Sequence, residues 1–130
     1  MPCVVFSAEE MLSCPTKIDV GISHFTNIIT TAQPENGKLV MGIWQLDDSE
    51  EPSGVRNIKC TESKTVIAGL IEIEDLDTGK KYVATPGSVI WFTKGTRARY
   101  LRVKGLRAIF TQINTTDPEC NFSLKRARYY

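Results

Sequence analysis

One histidine, His24, is all that 130 residues supply, so a site built from several imidazoles is excluded. The four cysteines, Cys3, Cys14, Cys60 and Cys120, stand at least 11 residues apart, which leaves no CxxC and no zinc-finger pattern. No apolar run reaches the roughly 18–20 residues of a membrane-spanning helix. The stretch MPCVVFSAEEMLSCP lacks the basic start and long apolar middle of a secretion signal. A cytoplasmic protein with reduced thiols is the expectation. Lysine and arginine number 16 against 15 acidic residues, net +1, so no charge excess points to nucleic acid or an acidic membrane. The basic end LKRARYY reads as a solvated or locally paired terminus. No GxxxxGK[ST] loop is present to cradle a phosphate.

The sequence does carry strand signals. One short helix is expected first, where Ser7-Ala8-Glu9-Glu10 fits a capping box and Cys14-Pro15 ends the run. The segments TNIITTAQ, KLVMGIWQL, VRNIKC, TVIAGLIEIED, KKYVAT, SVIWFT, RARYLRV and LRAIFTQI are rich in β-branched and aromatic residues. Turn signals separate them at residues 34–37, 47–50, 77–79, 86–87, 94–95 and 104–105. In GLIEIEDLDTGKKYVA, Leu70, Glu72 and Glu74 alternate with Ile71, Ile73 and Asp75 before a Thr78-Gly79 turn, a hairpin with one buried face. Short strands at about ten-residue spacing imply a sandwich or small barrel in one domain, residues 1–130.

Two stretches carry a likeness. In CTESKTVIAGLIEI, Glu62 is followed by six residues and then Gly69; in YVATPGSVIWFTKGTRARY, Gly87 is followed by five residues, Thr93-Lys94-Gly95, two residues and Ala98. This spacing resembles the two motifs of the cupin superfamily, H-x-H, three or four residues, E, six residues, G, and then G, five residues, P-x-G, two residues, H. The resemblance covers about residues 38–113 and is nearest to the small ethanolamine-utilisation type. It implies an all-β, double-stranded β-helix, that is, a jelly-roll barrel with a short N-terminal helix. The positions matching the metal-binding histidines fall on Val55 and Asn57, or on Arg56 and Ile58, and on Ala98. Of the usual four metal ligands Glu62 alone remains, so neither a metal nor another cofactor is expected.

Alternate residues of a barrel strand face inward. With Glu62 inward, Cys60, Lys64 and Val66 share its face. With Ala98 inward, Thr96, Tyr100 and Arg102 follow, while Arg97 and Arg99 point outward, where they could meet Glu72 or Glu74 across a homodimer interface. Glu62, Lys64 and Tyr100 form the expected catalytic trio: a buried carboxylate as acid or base, an ammonium for a substrate anion or a Schiff base, and a phenol for an oxyanion. Trp44, Asn57, Cys60, Trp91, Ala98 and Arg102 are the expected substrate-binding wall. Cys60 reads as a buried inert thiol, having no histidine nearby in sequence. His24 lies outside both motifs.

The leaning is toward a metal-independent cupin enzyme acting on a small organic molecule, of lyase, dehydratase, isomerase or cyclase type. The alternative is a non-catalytic small-molecule binder or an accessory subunit. The ethanolamine-utilisation likeness keeps phosphoryl transfer to acetate as a lesser option, disfavoured by the missing phosphate loop.

Overall fold

The computed structural model describes residues 3–30 and 38–114. The turn expected at residues 34–37, Cys120 and the basic tail lie outside the described residues. Helix α1 (Ala8–Ser13) precedes eight antiparallel strands. They are β1 (Ile18–Val20), β2 (Ser23–Thr30), β3 (Lys38–Leu46), β4 (Arg56–Asn57), β5 (Glu62–Asp75), β6 (Lys81–Ala84), β7 (Val89–Phe92) and β8 (Arg97–Asn114). The fold is an all-β jelly roll with, among the described residues, one short helix. Among the described residues no helix is long and apolar enough to cross a membrane.

The strand order is β1-β2-β3-β8-β5-β6, with β4 on β8 and β7 on β5. Two long strands organise it. β5 pairs with β8 over nearly its whole length, and also carries β7 at its start and β6 at its end. Strands this long curl by means of bulges, which add a residue on one side and increase the local twist. The largest irregularity lies where Gly69 crosses Gly105. Both have positive φ, 73° and 56°, and a Cβ on Gly69 would stand 2.2 Å from the Gly105 carbonyl oxygen. Only a residue without a side chain permits that approach. Gly105 was expected to end a strand; instead β8 runs through it as a bulge.

The core packs most of the barrel interior. Ile71 and Ile73 from β5, Ile90 and Phe92 from β7, and Val103, Leu106, Ala108 and Phe110 from β8 are all buried there. Each such side chain contributes about 1.5–3 kcal/mol on leaving water, with the small alanine contributing less. A second cluster lies on the outer face, where Met11 of α1 covers Ile28 and Ile43. The helix forms as its sequence dictates: the Glu10 amide donates to Ser7 Oγ and the Ser7 amide to Glu10 Oε1. Arg107 fixes its far end, donating from Nε to the Met11 carbonyl at 2.8 Å and from Nη2 to the Cys14 carbonyl. The β1–β2 hairpin, turning at Gly21 with φ 60°, had no clear alternation to announce it.

Candidate functional site

Strand β5 opens with Glu62, Ser63, Lys64 and Thr65, and alternation sends Glu62 and Lys64 inward. Two charged residues on an inner face need either partners or space. Here they have both, beside a cavity of about 370 Å³. Strand β5 contributes Glu62 and Lys64, β8 Tyr100, Phe110 and Gln112, and β2 and β3 Ser23, Phe25 and Trp44. The segment through β4 closes one side with Val55, Arg56, Asn57, Ile58, Lys59 and Cys60.

The charges are tightly arranged. Lys64 Nζ lies 3.3 Å from Glu62 Oε1, with side chains 8% and 11% exposed. The same ammonium sits 3.7 Å from the centre of the Trp44 ring and 5.8 Å from that of Phe110. A cation over an aromatic face is held by the ring quadrupole, more strongly when desolvated. Burial pushes the Lys64 ammonium below its ordinary range, and the Glu62 charge opposes part of that shift. Gln112 Nε2 donates to the other carboxylate oxygen, Glu62 Oε2, at 3.5 Å.

Tyr100 stacks edge-on against Trp44, ring centres 6.0 Å apart, and the Arg56 guanidinium lies 5.9 Å from its ring centre. Burial raises the Tyr100 phenol far above its ordinary value; the Glu62 charge adds to this and Arg56 subtracts. Tyr100 therefore stays protonated at every pH near neutrality and is a standing hydrogen-bond donor. Trp44 is oriented by a hydrogen bond from Nε1 to Ser23 Oγ at 2.8 Å. Two buried polar atoms at the cavity, Arg56 Nε and Gln112 Oε1, have no hydrogen-bond partner among the described residues.

The structure thus brings together six of the residues singled out from sequence: Trp44, Asn57, Cys60, Glu62, Lys64 and Tyr100. Three others fall elsewhere. Trp91 is 63% exposed on the outer face, because Phe92, which faces Glu62 across the pair, takes the inward place. Arg102 leaves the interior because a bulge at Leu101 sets Tyr100 opposite Ile73 but Arg102 opposite Glu72. Its Nε instead donates to Glu50 Oε2 at 2.9 Å. Ala98 is fully buried in the core beneath Arg56, its backbone partner, and does not line the cavity. Cys60 is disulfide-bonded, its partner lying outside the described residues, which corrects the expectation of a reduced thiol. Arg99 pairs with Glu74 at 3.6 Å and Arg97 with Asp77 at 3.1 Å within the chain.

Sequence reasoning passed over Gln112 and weighed Arg56 only as a vacant histidine position. Counting alternate residues on from Phe110 would have found Gln112. The register of a two-residue strand such as β4 has no comparable signal.

The cavity's donors do not fit a divalent metal. Among the described residues Glu62 is the single carboxylate there, its counter-charge is already the Lys64 ammonium, and a dication would face Lys64 and Arg56 at close range. Among the described residues no group of three histidine, cysteine or acidic side chains could hold a metal ion. His24 is engaged elsewhere, Nδ1 to Asp19 at 2.6 Å and Nε2 to Asp47 at 2.7 Å.

Solved structures share this architecture at low sequence identity. Ectoine synthase from P. lautus superposes with a TM-score of 0.63 at 18% identity, over 86% of this chain and 78% of that one. The Clostridium difficile EutQ protein gives 0.58 at 19% identity, over 87% and 83%. The Cnp3 cupin domain of Schizosaccharomyces pombe gives 0.58 at 14% identity, over 87% and 75%. The fold is that of the cupins. No family model and no curated sequence matches the chain. The cupin barrel accounts for the closed inner face on which Glu62, Lys64 and Tyr100 converge.

Proposed function

We propose that the cavity is the active site of a metal-independent cupin enzyme that transforms a small organic molecule by acid–base chemistry. The reaction type is a lyase, dehydratase, isomerase or cyclase step. One observation carries this reading: an ion pair, Lys64 Nζ to Glu62 Oε1 at 3.3 Å, lies open to a cavity of about 370 Å³ rather than packed over. That volume is within the roughly 300–1,000 Å³ of small-molecule sites.

In this mechanism Glu62 accepts a proton from the substrate. Lys64, whose buried ammonium is a stronger acid than an exposed one, returns a proton or stabilises the anion that forms. Tyr100 donates a hydrogen bond to a developing oxyanion. Trp44, Phe25 and Phe110 supply an apolar wall for the substrate body. The likeness to ectoine synthase supports an enzymatic reading through the shared fold alone.

A second reading, a binder without turnover, is favoured by the completeness of the resting pair. Glu62 is already met by Lys64 and Gln112, and Lys64 by Trp44. The deciding experiment follows a metabolite mixture by mass spectrometry with wild type and Glu62→Gln. The enzyme reading expects a compound that wild type consumes and Glu62→Gln consumes about 10²–10⁴-fold more slowly. A compound that binds but is never consumed, or equal consumption by both proteins, contradicts it.

A further inference from the structure

Among the described residues, the cavity brings Arg56 and Lys64 to the one carboxylate of Glu62. Lys64 and Glu62 answer one another. Arg56 has no ion pair among the described residues; its guanidinium stacks near Tyr100, and its Nε is buried without an acceptor. A buried guanidinium nitrogen left bare is costly, about 1–3 kcal/mol or more for a charged group. A protein tolerates that cost where a ligand supplies the acceptor.

Gln112 makes the complementary statement. Its Nε2 is committed to Glu62, while Oε1 is buried in the same cavity with no donor. One site therefore shows a charged donor wanting an acceptor and an amide oxygen wanting a donor. The rings of Trp44, Tyr100, Phe25 and Phe110 line the same cavity.

We propose that this cavity takes a small carboxylate, held through its oxygens by Arg56, whose apolar or aromatic body carries an amino or hydroxyl group toward Gln112 and Glu62. The guanidinium fork matches a planar carboxylate in a bidentate manner. A phosphate dianion suits the site less, because the chain lacks a glycine-rich loop of amide donors. This assignment rests on the cavity's being the functional site, but not on its being catalytic.

The test is a ligand-observed NMR screen of the full chain. The probes are small amino- and hydroxy-carboxylates, benzoates included, each matched with its primary amide. The acids are expected to bind at least about tenfold more tightly than the amides. Arg56→Gln should remove that difference, and Arg56→Lys, which keeps the charge but not the fork, should recover it in part. Glu62→Gln should still prefer the acids over their amides even where turnover is lost, which separates recognition from catalysis. Amides binding as well as acids, Arg56→Gln binding like wild type in its folded form, or a screen in which no acid binds would each overturn the proposal.

Discussion

Residues 62–66 and 71–75 belong to one strand, pair with the same neighbour and alternate alike, yet their inner faces differ. The first half turns Glu62 and Lys64 toward open space. The second turns Ile71 and Ile73 into close-packed core, with Glu72 and Glu74 outside. Between them the inward set passes from even to odd residue numbers, at the Gly69–Gly105 crossing. The two halves teach that a barrel strand can build a core at one end and a cavity wall at the other. What changes is whether the inward residues are apolar and filled around, or ionisable and left beside a void.

The sharpest way to break the contrast is to hollow the packed half. Ile71 is fully buried, so Ile71→Ala is expected to cost about 3 kcal/mol, read as a shifted denaturant midpoint. A cost below about 1 kcal/mol would mean that this half is no better packed than the other.

A much smaller effect belongs to His24, which serves as a control outside both halves. Hydrogen bonds and charge from Asp19 and Asp47 raise its pKa above the ordinary 6.5. The stability from this clamp is therefore complete below about pH 6.5 and is lost as pH rises through the raised folded value. Because the carboxylates are exposed, His24→Gln should cost under about 1 kcal/mol near pH 6 and nothing near pH 9. A cost that grows with pH would reverse the assignment.

The sequence announced much of this contrast. The alternation of Leu70–Asp75, the capping box at Ser7 and the spacing of Glu62 to Gly69 all rest on local periods, which a single strand or helix displays by itself. Parity beyond a bulge is not local. Arg102 was sent outward by the extra residue at Leu101, whose cause is the pairing with β5, far away in sequence. Trp91 was expected in the cavity wall but faces outward, because Val89, Ile90, Trp91 and Phe92 are all apolar and period two is silent there. The disulfide at Cys60 likewise has no local period to announce it. The neighbours of Arg56 and Gln112, and hence their orphaned atoms, are set by the closed barrel.

The central claim is that the first half of β5 forms a site rather than a core, and replacing the ion pair tests it most directly. Lys64→Met alone strands the Glu62 carboxylate and should cost about 1–3 kcal/mol. The double variant Glu62→Gln/Lys64→Met removes both charges, and thermal unfolding should stay within about 1 kcal/mol of wild type while the turnover proposed for the cavity disappears. A double variant that unfolds outright, or one that keeps full turnover, would contradict the account.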